Sequence, residues 1–496
     1  MINIGKKREC FFDDFLLDNE NTTAELRLHK PIRRKPILEL NMPWESKHIT
    51  MFTVFFSEGK WRMYYVDEDY KRVCYAESDD AENWTRPELG IVEVDGSSKN
   101  NIIMTKEMFA AFDFCAFDNM SVFYDENPKC PDDERYKMTA MWLGHAALAL
   151  LTSADGIHFD KCRMITDEGE FDSQNRMFWS AEHGKYFCYF RSEHAPAPTI
   201  DMMDQSYTDR VANQLYDPER FLMREPVDKE TTFMRDINVA ESDDAVNWSH
   251  SQRINTTGGD FQLYNNCVFP YPRAPHIFVG LPLRYAERKA WTKNYDELCG
   301  REDRLNRMTK SARRGLAISD GLFMSSRDGY NFVKYDEAIM PPPPENPEAF
   351  VYGDGTMIPA LIERPSEIDG ADNEYMIIVR ENFRTARGYS TLVKYTIRLD
   401  GFVSLHAGGE KCVVKTKELV YDGSDLFVNI ATSARGSAYF TLCSDGEEYR
   451  SYEIFGNRCD KRIRFEDDEA VKKLSGKPVT LKIEMFDCDV YSIRFN

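Results

Sequence analysis

The sequence predicts an all-β chain: a five-bladed β-propeller over residues 46–401 and a small antiparallel β-sandwich over 402–496, with residues 1–45 an N-terminal arm packing on the propeller. Three observations predict it. The stretch Glu77-Ser78-Asp79-Asp80-Ala81-Glu82-Asn83-Trp84 returns almost unchanged as Glu241-Ser242-Asp243-Asp244-Ala245-Val246-Asn247-Trp248. Looser copies stand at Ser153-Ala154-Asp155-Gly156, Ser326-Arg327-Asp328-Gly329 and Leu399-Asp400-Gly401. Between copies lie short apolar runs rich in β-branched and aromatic residues, three or four per unit of roughly 80 residues, which is the pattern of propeller blades. After Gly401 the texture changes to strand-length runs separated by Gly and Asp turns, which reads as a sandwich.

The repeated stretch suits a tight hairpin turn, because Asp bonds its own backbone and Gly supplies positive φ. Asp80, Asp155, Asp244, Asp328 and Asp400 are therefore read as turn-locking residues; a catalytic group is needed once, not five times. In chain order, 11–17 is a short apolar element of the arm. The first repeat has strands at 48–56, 61–66 and 72–78, the second at 120–124, 136–143 and 146–152. The third has 175–179, 186–191 and 237–241, with a polar insertion at about 192–234 whose 217–222 stretch reads as a short helix. The fourth has 266–271, 276–281 and 315–324, interrupted by a charged, helical insertion at 287–313. The fifth has 357–362, 374–380 and 392–399, and the tetraproline at 341–344 is a stiff connector before it. The sandwich strands are expected at 413–416, 426–430, 438–443, 452–455, 479–485 and 489–494.

Composition is that of an ordinary globular chain, 42% hydrophobic and 29% charged over 496 residues. The 63 basic against 83 acidic residues give a formal net charge of −20, which argues against nucleic acid or an anionic membrane as partner. The first ten residues lack the apolar core of a signal peptide, and no window approaches a spanning helix. The 12 Cys show neither CxxC pairs nor zinc spacing, so they are read as reduced thiols in a cytoplasmic protein, and no metal or cofactor is expected.

Several stretches carry a family likeness: Pro43-Trp44-Glu45, Phe171-Asp172-Ser173-Gln174-Asn175, Tyr189-Phe190-Arg191, Ser326-Arg327-Asp328-Gly329, Arg398-Leu399-Asp400-Gly401-Phe402-Val403-Ser404, and the ending from Gly476-Lys477-Pro478 to Arg494-Phe495. On these the chain resembles glycoside hydrolase family 32-like bacterial proteins, and more loosely family 43. The resemblance implies a five-bladed propeller glycosidase with a C-terminal sandwich. It departs from family 32 in its acids: Thr50 stands where the nucleophile would, Arg235-Asp236 falls on a different strand from the family's Arg-Asp-Pro, and 263–266 offers no Glu.

Propellers place ligands at the axis, where the first strand of each blade begins, and glycoside cleavage needs two carboxyl groups. That restricts the candidate acids to Glu45 before blade one, Asp118 with Asn119 before blade two, Asp172 with Gln174 and Asn175 before blade three, and Asp260 with Gln262, Tyr264 and Asn266 before blade four. Asp354 opens blade five, and Glu381 ends a long strand of it. Trp44 is a sugar-stacking face; Arg191 and Arg284, ending apolar strands, are expected to hold substrate or orient an acid. Asp172 is expected to face the axial pocket, paired across it with Glu45. The expected activity is hydrolysis of a small oligosaccharide or glycoside by an acid/base carboxylate pair; the alternatives are a non-catalytic carbohydrate-binding propeller or a glycoside phosphorylase. A first prediction needs no structure: thiol titration of the unfolded chain without reductant should find close to all 12 Cys, and a count short by pairs would mean disulfides.

Overall fold

A computed structural model describes residues 1–67, 72–109, 112, 119–142, 146–194, 234–287, 293–308, 315–385 and 388–496. Asp118 and the expected 217–222 helix lie outside the described residues. Strands dominate, and five successive units, one of them divided between two sheets, occupy the region where five blades are expected. The first sheet is Ile49–Ser57, Lys60–Asp67, Arg72–Ser78 and Ile102–Thr105. Its opening hairpin turns on Glu58 and Gly59, with φ of 49° and 81°, the left-handed pair that matches strand twist. Ser121–Tyr124, Tyr136–Trp142, Ala147–Ser153 and Lys161–Thr166 form the second sheet. Arg176–Ser180, Lys185–His194, Met234–Ser242 and Gln252–Arg253 form the third.

The fourth unit departs from expectation, because three of its strands are broken in two. Asn255–Thr256, Val268–Tyr271, Ala274–Gly280, Met324–Ser326 and Asn331–Lys334 make one sheet, while Gln262–Asn265, Leu283–Glu287 and Ala317–Gly321 make a second. The breaks have local causes. Cys267 takes a left-handed φ of 45°, and Pro282 removes a ladder donor. Two helices, Lys293–Asp296 and Arg301–Met308, fall within the charged insertion.

The fifth sheet is completed from the other end of the chain. Thr356–Met357 and Ile362–Arg364 both pair with Glu374–Glu381, which pairs with Thr391–Arg398. The outer strand is Ile32–Glu39, in register Leu392 to Leu38 and Tyr395 to Arg33. Residues 1–45 therefore do more than pack as an arm. Ile2–Gly5 pairs with Leu419–Tyr421, Arg8–Cys10 with Thr480–Phe495, and Glu25–Leu28 with Val403–Ala407. Phe12, fully buried, lies edge-on to Tyr271 at 5.1 Å and to Phe323 at 5.2 Å, plugging the space between the fourth sheet and the C-terminal part.

Hydrogen bonds join six C-terminal strands with Arg8–Cys10 and Glu25–Leu28 into one eight-stranded sheet built on Leu426–Ser444 and Thr480–Phe495. The sequence suggests four shorter strands here, since Ser433-Ala434-Arg435-Gly436 and Asp487-Cys488-Asp489 read as turns. They are bulges. A Cβ at Gly436 would stand 2.1 Å from the Asp487 carbonyl oxygen, so glycine lets the ladder pass the irregularity. The expected 452–455 strand is reduced to a bridge between Ala438 and Ile454. No helix among the described residues is long and apolar enough to cross a membrane.

Four copies of the repeated turn behave as one device. In each, an Asp carboxylate oxygen accepts two successive backbone N–H groups, as Asp244 does from Val246 and Asn247 at 2.8 Å. The Ser two residues earlier bonds the same carboxylate, at 2.9–3.1 Å in the four copies. The residue after the Asp is left-handed throughout, φ running from 59° at Ala81 and Ala245 to 81° at Gly329. Backbone donors hold the Asp244 carboxyl down at about 2.

Asp400, the fifth copy, differs. It is itself the left-handed residue, at φ 57°, and is fully buried. Its carboxylate accepts from Tyr271 at 2.8 Å, Ser492 at 2.7 Å and Arg8 at 3.2 Å, with Arg273 at 3.6 Å. Burial opposes that charge, but Arg8, Arg273 and the two hydroxyls outweigh it and hold the carboxyl below its usual range. Reading it as a turn residue alone is therefore corrected: it is an ionic hub. Asp400→Ala should cost about 3–5 kcal/mol in urea unfolding, against about 1 kcal/mol for Asp244→Ala. Because the folded value is depressed, the Asp400 contribution is complete above the unfolded value of 3.8 and is lost as pH falls through the folded one. Equal costs at the two positions would refute the distinction.

Candidate active site

The first strands of neighbouring sheets abut: Ile49–Ser57 meets Ser121–Tyr124, which meets Arg176–Ser180, which meets Val268–Tyr271. Gln174 reaches from the start of the third sheet to the Phe52 carbonyl of the first at 2.9 Å. Arg380 donates to the carbonyls of Ile49 and Thr50, tying the fifth sheet to the first. Where these strands begin, a pocket of about 30 Å³ opens. It is lined by Thr50 and Met51, by Asn119 and Asp172, by Tyr264 and Asn265, by Tyr352 and Gly353, and by Arg380, Phe383 and Arg384.

Asp172 is the one carboxylate among these lining residues, and its side chain is 56% exposed. Its placement rests on Phe171, a bulky residue held at a left-handed φ of 54° with its ring buried 5.3 Å from Phe190. Such a backbone is strained by about 1–3 kcal/mol and persists only where packing enforces it. Arg191 Nη1 donates to Asp172 Oδ2 at 2.6 Å and to its carbonyl at 2.7 Å, while Nη2 donates to Glu193 at 2.8 Å. Burial works against the Arg191 charge, yet Asp172, Tyr264 and Glu193 hold the guanidinium above its ordinary value. Asn119 Nδ2 approaches the other Asp172 oxygen at 3.4 Å. The opposite wall is aromatic and cationic: Tyr352 lies 5.4 Å from Tyr264, and the Arg384 guanidinium sits 4.7 Å over both Tyr352 and Phe383.

A second, smaller cavity of about 10 Å³ lies next to this one, for Gly353 lines the pocket and Asp354 the cavity. Ser319, Pro341 to Pro343, Glu381 and Tyr395 line it too. Burial, reinforced by the nearby Glu381 charge, raises the Asp354 carboxyl to about 8 against a 3.0 Å bond from the Phe383 N–H. Asp354 is therefore a neutral acid at pH 7. Glu381, also buried, is gripped by Arg33 through two 2.9 Å bonds and by the Tyr395 hydroxyl at 2.6 Å.

The remaining sequence candidates are placed elsewhere. Glu45 is 1% exposed at its side chain and is not among the pocket residues. Arg86 at 2.7 Å, Tyr65 at 2.5 Å and the N–H groups of Asn41 and Met42 use up its oxygens, so it staples a loop. Trp44 spends its indole N–H on Asn101 at 2.7 Å. Asn175 and Asn266 are buried and bond backbone carbonyls, knitting adjacent strand starts together. Asp260 pairs with His194 at 3.1 Å, and Arg284 is held by Asp320 at 2.8 Å. The pairing of Asp172 with Glu45 is thus not what the structure assembles.

Thr50, Tyr352, Arg380, Phe383 and Arg384 were not among the candidates. Thr50 occupies the place that the resemblance gives to a nucleophile, which is itself a signal. The Asn382-Phe383-Arg384 run ends an apolar strand as Tyr189-Phe190-Arg191 does, with left-handed φ of 64° at Asn382 and 59° at Arg384. Among the described residues no group of three His, Cys, Asp or Glu is placed to hold a metal.

No family model matches the chain, and no curated protein matches it. Solved structures similar to it include several glycoside hydrolases and an N-acetylgalactosamine deacetylase from F. plautii, the latter at 12% identity and a TM-score of 0.36 over 75% of this chain and 94% of its own. One, described only as a glycoside hydrolase, has 11% identity and a TM-score of 0.41 over 74% of this chain and 92% of its own. A Bombyx mori family 32 β-fructofuranosidase has 11% identity and a TM-score of 0.35 over 95% and 94%. A Bacillus subtilis family 43 arabinoxylan arabinofuranohydrolase, in complex with cellotetraose, has 8% identity and a TM-score of 0.31 over 90% and 78%.

The Asp354 assignment is open to spectroscopy. At pH 7 the infrared spectrum should contain a protonated-carboxyl band that Asp354→Asn removes and that bleaches as pH rises through about 8. Since the folded value lies above the unfolded 3.8, this group favours the folded state most at low pH and loses that contribution between about 4 and 8. A spectrum without the band at pH 7 would show Asp354 ionised.

Proposed function

We propose that the five units are the blades of a β-propeller with the C-terminal strands folded as a sandwich on it, and that the chain is a glycoside hydrolase acting on a small oligosaccharide or glycoside. The observation that carries the activity is Asp172: a more than half-exposed carboxylate in an otherwise buried, polar and aromatic pocket, oriented by Arg191. A sugar ring stacks well on tyrosine and phenylalanine faces, and Tyr264, Tyr352 and Phe383 supply them. In this reading Asp172 attacks the anomeric carbon or activates water. The leaving-group proton comes from Asp354, the carboxyl that is protonated at neutral pH. Gly353 and Gly355 flank Asp354 at φ of 86° and 75°, and in this reading the carboxyl turns towards the pocket by giving up its bonds from the Phe383 and Gly355 N–H groups.

One observation favours a second reading, carbohydrate binding without turnover: the other candidate acids, Glu45 and Glu381, are fully engaged by Arg86 and Arg33. A panel of aryl glycosides separates the two. Asp172→Asn should lower kcat by several orders of magnitude while a glycoside ligand still binds. Asp354→Asn should slow glycosides with poor leaving groups far more than nitrophenyl ones, and remove a fall in rate above about pH 8. Full activity in Asp172→Asn ends the hydrolase proposal; binding with no turnover on any glycoside establishes the second reading.

A further inference from the structure

A cavity of about 290 Å³, far larger than the pocket at the strand starts, lies where the N-terminal segment meets the third and fourth sheets. Asp172 precedes the strand Arg176–Ser180, whereas Glu182 and His183 of this cavity follow it. At roughly 3.3 Å per residue, that strand puts about 17 Å between the two openings. They are separate sites. Phe15 is the aromatic wall of the cavity. The Arg327 guanidinium lies 4.0 Å over its ring, yet Phe15 remains 37% exposed. Around that ring the charges are matched. Lys7 Nζ donates to Glu182 Oε2 at 2.7 Å, and Arg327 Nη1 donates to Glu9 Oε2 at 2.7 Å. Glu9 Oε1 lies 3.1 Å from His276 Nε2. Burial opposes the Glu9 charge, but His276 and Arg327 hold that carboxyl below its usual range. The two permanent cations lining the cavity thus face two carboxylates.

These pairs are not saturated. An ammonium has three N–H donors and a carboxylate about four lone-pair sites, so each keeps capacity after one bond. The Lys7 and Glu182 side chains are 48% and 34% exposed, which leaves them open to a ligand. An ion entering so balanced a cavity finds no excess of opposite charge. A neutral molecule bearing several hydroxyls finds both acceptors and donors, and hydrogen bonds to charged groups are the stronger kind. The Phe15 ring asks in addition for one apolar face. A pyranose meets both demands, with C–H groups on one face and hydroxyls round its edge. We infer that this cavity is a second carbohydrate site, taking one neutral sugar ring stacked on Phe15 with its hydroxyls on Glu182, Lys7 and Glu9. Its volume stands at the lower end of small-ligand sites, which begin at about 300 Å³, and so fits one ring rather than a chain. The inference does not depend on the activity proposed above.

The probes are the methyl glycopyranosides of glucose, galactose and mannose, soaked into crystals of the unmodified protein and titrated calorimetrically in solution. With at least one of them, a ring should appear over Phe15 with hydroxyls within hydrogen-bonding reach of Glu182 or Lys7. In solution, Phe15→Ala should weaken binding of that glycoside about tenfold, the scale of one lost stacking contact. Glu182→Gln, a substitution at a solvent-facing side chain, should weaken it as well and serves if Phe15→Ala fails to fold. A ring found only in the Asp172 pocket supports the activity reading and overturns this inference. So does an empty cavity with all three glycosides. A ring in the cavity whose affinity in solution neither substitution changes is binding at crystal concentration only, and overturns it too.

Discussion

Three separate stretches of chain meet at one buried carboxylate. Asp400 holds Arg8 of the N-terminal segment, Tyr271 and Arg273 of the fourth sheet, and Ser492 of the C-terminal sheet within a single shell of charge-assisted bonds. Removing a buried ion from such a shell leaves its partners uncompensated, which costs more than the pair contributes when intact. The arrangement explains why the chain ends are woven together rather than laid side by side. Arg8–Cys10 is a strand of the C-terminal sheet, and Ile32–Glu39, some twenty residues on, is the outer strand of the fifth. The segment between them must cross from one to the other, and Asp400 with Phe12 fixes where it does so.

The same N-terminal strand reaches the pocket. Arg33 neutralises Glu381, and Glu381 is followed directly by Asn382, Phe383 and Arg384, which turn into the pocket wall. Without Arg33, the buried Glu381 and Asp354 would compete for one low-dielectric site. With it, Glu381 has a cation and a hydroxyl on its oxygens, while burial raises the Asp354 carboxyl. Asp172 is treated in the opposite way: exposed, and paired to an Arg191 that is itself held by Glu193. Two carboxyls near one pocket thereby stand in different surroundings, Asp354 buried and Asp172 open to solvent beside a guanidinium.

Much of this was legible beforehand. Strand existence followed from period-two alternation, and the repeated Ser-x-Asp turn followed from local chemistry, since each Asp satisfies donors two and three residues away. The sequence signal failed where local and long-range chemistry use the same residues. Gly436 and Asp487 look like turn formers but serve as bulges, because a 19-residue strand has a 16-residue partner to stay in register with. Asp400 looks like its four counterparts in sequence, and its own left-handed φ with burial against Arg8 and Arg273 sets it apart. Asp172 stood out because it precedes a strand beside Ser, Gln and Asn, yet Gln174 and Asn175 are buried and bond backbone carbonyls, leaving Asp172 alone at the opening.

Sequence by itself therefore determined most of the strands, four of the five repeated turns and the polar strand starts, all of which depend on residues close together along the chain. Tertiary structure alone decided which acids share a pocket. Glu45 went to Arg86, Glu381 to Arg33, and Asp172 to the opening, according to which guanidinium the fold brought within about 3 Å. A carboxylate's role is set by its solvation and its nearest cation, and both come from residues tens to hundreds of positions away.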